Sequence, residues 1–283
     1  MSVVTAPRGN RLALLASEAA KLPAFLRRDF LGAWSYRMAF FSDAVGLAFQ
    51  AVLFFYIGKM VDPDVLPTYG KGNVSYLEFV AVGIAISMLI GIGIFRAANA
   101  FRNEQLMGTL EALLMTPTTA TTVQFGSVVY DLVYMPLRTA IFFIAIAFAG
   151  DVSFNPDGIL PATATLLLFI PFVWGLGIMY AAATLTFKVS GGGFVVTLLT
   201  ITSGAYFPLT LFPAWLATIA ELNPMAIAID TMRESLLGDA GWSDVASGLV
   251  VLAPASLVTL ALGIGSFRLA LRRERRRGSV GLY

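Results

Sequence analysis

The side chains able to do chemistry are few, and the most telling are carboxylates and guanidinium groups set in apolar surroundings. The 283 residues include no histidine and no cysteine, which removes thiol chemistry, disulfides and the two commonest metal-ligand types. Asp43, Arg96, Asp131 and Arg138 fall within long greasy stretches. An ionised side chain in hydrocarbon is costly enough to need a partner or a water-filled cavity. Asp131 and Arg138 lie seven residues apart, so they share a helical face but stand about two turns, roughly 10 Å, from each other. They cannot pair directly. Three readings stay open: a charge network joining Asp43 or Asp131 to Arg96 or Arg138, contact with a transported solute, or placement outside the hydrocarbon. No phosphate loop is present; Gly70-Lys71-Gly72 comes nearest, but it lacks the glycine five residues earlier. Zinc-protease, nucleophile-elbow and paired-cysteine motifs are absent too. The chain is therefore expected to carry no catalytic residue, no metal and no ATPase site of its own.

What must position these charges is a membrane-embedded bundle. Hydrophobic residues make up 58% of the chain and charged residues 13%, about half the usual share in a soluble domain. Mean hydropathy is +0.79. A helix needs roughly 20 apolar residues to cross a bilayer, and the sequence predicts spans near 38–58, 77–99, 122–149, 159–187, 193–211 and 246–270. The predicted class is thus an all-α integral membrane protein with six transmembrane helices. Arg8, Arg11, Lys21, Arg27, Arg28, Arg37, Arg96, Arg102, Lys188 and the run RRERRR near the C-terminus all fall on one side. Lys59, Lys71 and Arg233 are the basic residues on the other side, among many acids. The positive-inside rule then puts both termini in the cytoplasm of a cell (plasma or inner) membrane.

The ends of the bundle divide it further. Arg8 and Arg11 precede only LALLA, too short an apolar core for a cleavable signal. Leu22, Leu26, Phe30 and Trp34 recur every fourth residue in 18–37, which predicts a helix lying on the membrane with Lys21, Arg27 and Arg28 facing anionic headgroups. Residues 1–37 are read as this N-terminal region, 38–270 as the transmembrane domain and 271–283 as a basic tail that anchors topology. Nucleic acid is not an expected partner; membrane lipid is. The stretch 193–229 is too long for one span, and two spans would carry RRERRR outside. Residues 205–245 are read instead as an outer re-entrant segment that Pro208, Pro213 and Pro224 permit. No internal repeat stands out.

Phe101–Ala120 is the polar exception between two spans. Leu106, Leu110, Leu113 and Leu114 form one helical stripe, with Glu104, Gly108 and Glu111 opposite. Asn103 is placed to cap the start and Pro117 to end it. A glycine inside a helix costs about 1 kcal/mol against alanine, which suggests a close approach at Gly108. The pattern predicts a lever over 103–117 for another protein to push.

These residues resemble the membrane subunit of a type-2 ATP-binding-cassette exporter. That family carries E-x-x-x-G-T-L-E-x-L-L-x-T-P after its second span, and this chain reads EQLMGTLEALLMTP from Glu104 to Pro117. Ser203–Pro224 resembles its Y-F-P and N-P signatures, at Tyr206, Phe207 and Pro208 and at Asn223 and Pro224, with Asp230 and Arg233 as its D-x-x-R element. The resemblance implies two permease subunits, as homo- or heterodimer, above two cytoplasmic ATPase subunits that hold ATP and Mg. It makes 103–117 the coupling helix, with Glu104, Gly108, Thr109, Leu110, Glu111, Leu114 and Pro117 meeting the ATPase or the connecting helix. The Phe-rich spans suit a hydrophobic or amphipathic cargo such as a drug, antibiotic or lipid. Export of a glycan or polyol is the alternative, and an ion-gradient-driven secondary transporter the alternative of another class.

Overall fold

The computed structural model describes residues 16–62, 66–69, 74–150, 152, 154–187, 193–239 and 241–277. Helices α1 (Leu22–Ser35) and α2 (Arg37–Gly58) open the chain. Then come α3 (Tyr76–Leu106), the short α4 (Thr109–Met115) and α5 (Ala120–Gly150). The remainder is α6 (Ile159–Phe187), α7 (Gly193–Ile201), α8 (Ala214–Glu221), α9 (Pro224–Leu237) and α10 (Trp242–Arg277). Local chemistry sets these boundaries. Glu78 accepts the Ser75 backbone N–H at 2.8 Å while its own N–H reaches the Ser75 hydroxyl at 3.3 Å, a capping box that starts α3. The Thr119 hydroxyl accepts the Thr122 N–H at 3.2 Å to start α5.

Among the described residues, four helices are long and apolar enough to cross a membrane, with α2 adding the shorter apolar stretch Ala48–Gly58. The core lies where α3, α6 and α9 meet: Val82, Ile86, Ile90, Phe169, Val173 and Ile229 are essentially inaccessible. Around it, Phe49 and Leu53 on α2 and Val250, Leu257 and Leu262 on α10 stay exposed. An exterior greasier than water would allow is what a lipid-facing bundle presents.

The sequence and the structure part at the predicted span 193–211. Helix α7 has nine residues, about 14 Å of rise and less than half the hydrocarbon thickness. It stops just ahead of Gly204, which takes φ +67°, and between them Thr202 and Ser203 turn their hydroxyls back onto Leu198 O and Thr200 O, both at 2.8 Å. A 3₁₀ turn at Leu209–Leu211 and the short α8 follow before α9.

Candidate functional site

The polar insert between α3 and α5 is two helices rather than one. Asn103, expected to cap a helix, lies inside the last turn of α3, and α4 begins only at Thr109. Between them Gly108 has φ +70° with no heavy atom within 4 Å of where a Cβ would stand. Within this chain the glycine therefore serves backbone conformation, and the space beside it is open. Gly108→Ala is expected to cost about 1 kcal/mol and Gly108→Asn distinctly less, read as thermal midpoints of the purified protein.

Before the break, the last turn of α3 directs Glu104 inward. Its side chain is 8% exposed and meets the Arg28 guanidinium of α1 at 2.8 Å. The Thr109 hydroxyl donates to the same carboxylate, and at 3.3 Å to the Glu104 carbonyl, folding the start of α4 onto the end of α3. Arg28 also holds Asp29 at 2.8 Å and rests 5.3 Å over the Phe25 ring. Burial works against its charge, yet Asp29 and then Glu104 hold its pKa above the ordinary value. Phe25 fits against α5 at Gly126, where a Cβ would fall 2.6 Å from the ring.

A second fastening closes the far end of α4. Lys21 Nζ donates to Pro117 O and pairs with Glu18, whose other oxygen accepts the Thr119 N–H at 3.1 Å. Lys21 and Arg28, expected to face headgroups, instead hold the α3–α5 connection; the rings of Phe30 and Trp34 remain outward and stacked at 6.1 Å. Burial raises the Glu18 carboxyl, but hydrogen bonds from Lys21, Thr122 and the Thr119 backbone, with the Lys21 charge, outweigh it and hold the pKa at about 2. A depressed carboxyl stabilises the fold above its ordinary 4.5 and loses that contribution as pH falls through about 2. The gap in thermal midpoint between the native protein and Glu18→Gln is expected to be constant at neutral pH and to close on that acid limb.

Residues 21–237 match the ABC-2 type transporter family, more than half of the chain and from the fastening lysine to the end of α9. The chain belongs to that family. This permease is also 26% identical over 201 residues to the daunorubicin resistance ABC transporter permease protein DrrB1 of Streptomyces coeruleorubidus, covering 68% of each chain. It is therefore a type-2 ABC permease subunit: a multi-pass membrane transport component of a family that works with a cytoplasmic ABC ATPase.

Among the described residues singled out within the spans, the structure pairs Arg96 with Asp131. Arg96 Nε on α3 donates to both Asp131 oxygens on α5, at 3.0 and 3.1 Å, with Asp131 buried. Arg138 lines a narrow crevice between the same helices with Met88, Leu89, Met135 and Phe142. The backbones of Asp43, Leu110, Glu111 and Leu114 lie in α2 and α4, while their side chains fall outside the described residues. At the far end Asn223 caps α9 by accepting the Met225 N–H at 2.9 Å, and its amide donates to Leu199 O and the Thr202 hydroxyl. Pro224 takes the first position of α9, and Pro208 is buried while Phe207 is exposed. Arg233 is 2% exposed. Its D-x-x-R spacing was legible in the sequence; its burial was not, because a residue near an outer surface reads as solvated.

Proposed function

We propose that this chain is the translocating subunit of an ATP-driven exporter for a hydrophobic or amphipathic compound. Its two copies, or this chain and a near relative, surround the path above two ATPase subunits that hold ATP and Mg. In this reading the six spans are the four long helices, α2, and α7 continued by the broken segment to α9. The positive-inside rule places both termini and α4 in the cytoplasm. The observation that carries the coupling assignment is the pair of fastenings, Glu104–Arg28 and Pro117–Lys21, that hold α4 at both ends. A short helix held in this way passes a push to α1, α3 and α5 instead of absorbing it. Met107 and Met115, both largely exposed beside α4, offer apolar contacts to a groove in the ATPase.

Support for a drug-like cargo comes from the resistance permease it resembles and from apolar walls such as the α3–α5 crevice. The test is purification from native membranes in mild detergent, followed by ATP-dependent uptake of daunorubicin into inverted vesicles. A soluble ATPase bearing a phosphate loop is expected to co-purify, and uptake to require ATP. An ATPase-free preparation that drives uptake from an ion gradient would overturn the reading. Uptake of a lipid-linked glycan in place of daunorubicin would keep the ATPase and correct the cargo.

A further inference from the structure

Arg233 on α9 is the largest of the fully buried side chains among the described residues, and a buried arginine must be held by strong partners. Its nearest carboxylate oxygen, on half-exposed Asp230, is 3.7 Å away. The Tyr69 hydroxyl is a side-chain hydrogen-bond partner; the other short contacts are to backbone. Nε donates to Phe79 O on α3 at 3.1 Å; Nη2 donates to Gly204 O and Ala205 O at 3.1 and 3.2 Å. The guanidinium also lies 3.5 Å over the Phe79 ring. Next along the turn, Tyr206 O accepts the Tyr76 hydroxyl at 3.2 Å. Three successive carbonyls of the turn are thus taken by donors from α9 and α3. Behind them, a Cβ on Gly83 would fall 2.0 Å from Ala205 O, so the turn rests on the α3 backbone itself.

The same helix is fastened at its other end by Glu104. From Phe79 to Glu104, α3 runs roughly 37 Å, and no proline interrupts it. The other three long helices carry Pro136, Pro171 and Pro254, the residue type at which helices bend.

We propose that α3 is a rod joining the cytoplasmic clasp to the outer turn Thr202–Tyr206. In this arrangement Arg233 is the positioning residue that makes turn and rod move as one body. The drive entering at Glu104 rests on the coupling function proposed above; the fastening at Arg233 does not.

Because the chain has no cysteine, thiols can be placed at exposed Ser75 and Phe207, with the labelled protein bearing no other substitution as the reference for the capping hydroxyl lost at Ser75. Spin labels there, in the full-length permease in lipid, are expected to give one narrow distance. Arg233→Lys, which loses the fork, and Gly83→Ala, which presses the turn off α3, should each broaden it. An unchanged narrow distance in both variants overturns the fastening. In vesicles of the complete complex, Arg233→Lys should lower uptake of the same probe per ATP by roughly tenfold or more, within the usual range of a coupling contact. Joining the two thiols with a bifunctional reagent should leave native uptake intact and restore it in Arg233→Lys. Loss of native uptake on joining, with ATP hydrolysis continuing, means the turn must leave α3 and overturns the proposal. An unmodified permease that takes up no probe sinks the export reading instead, while the label distances still decide the fastening.

Discussion

Glu104→Lys is expected to separate ATP hydrolysis from export. The substitution places a second cation at the Arg28 contact and removes the carboxylate that the Thr109 hydroxyl uses to fold α4 against α3. Arg28 is 44% exposed, so the loss of the pair is worth about 2 kcal/mol, between a surface and a fully buried bridge. That is small against the stability of a bundle whose core lies around α3, α6 and α9, so the protein should still reach the membrane. For coupling it is large. A ligand shifts an equilibrium only by the difference in its contacts with the two states, and these contacts sit where the drive would enter. Uptake per ATP should fall by roughly tenfold or more, while the ATPase keeps hydrolysing. The charge swap Arg28→Glu with Glu104→Arg should recover a good part of it. Failure of the swap alongside intact membrane levels would make the α1 contact incidental and leave Glu104 to act on the ATPase directly.

The residues of this clasp show which inferences a sequence allows. Apolar length and basic asymmetry already implied a bundle, because both are summed over many residues. The register of 101–120 did not follow, since a helical wheel assumes an unbroken helix. Read that way, Glu104 shares a face with Gly108 and Glu111, away from the leucine stripe; the left-handed Gly108 resets the wheel for α4, while Glu104, still on α3, meets Arg28 of α1. The signal was present, because a glycine after a polar helix end is the usual left-handed terminator. Lys21 and Arg28 were misread for a different reason. Their pattern on α1 fits headgroups equally well, and only contacts to residues about 80 to 100 positions away decide between lipid and protein. The Arg96–Asp131 pair is of the same kind: the cost of a charge in hydrocarbon predicts that a partner exists, but packing chooses it from the three pairings left open. For α7, hydrophobicity measured length without seeing the left-handed Gly204 at which the chain turns.

The second large effect concerns the surface on which the rest of the bundle leans. Helices α6 and α10 approach so closely at Gly175 that an added Cβ would stand 2.4 to 2.6 Å from the backbone of Thr259 and Leu260. From the other side, a Cβ on Gly263 would stand 2.5 Å from Gly175 O. Within a membrane, helices associate through such close backbone contact, because lipid is as apolar as leucine and supplies no hydrophobic drive. The obstacle is backbone on both sides, so no rotamer change can relieve it. Gly175→Val should therefore push the helices apart and cost about 3 kcal/mol, lowering the thermal midpoint in detergent by roughly 6 °C or more. Gly265→Ala on the same helix meets nothing within 4 Å and should be neutral or stabilising by up to about 1 kcal/mol. The two outcomes together separate contact from helix propensity: equal midpoints for both variants would mean that α6 and α10 do not touch in the folded permease. Unlike the clasp variant, Gly175→Val should lower membrane abundance and uptake in proportion, leaving uptake per assembled complex close to native. A loss confined to uptake per complex would instead place this crossing in the moving machinery.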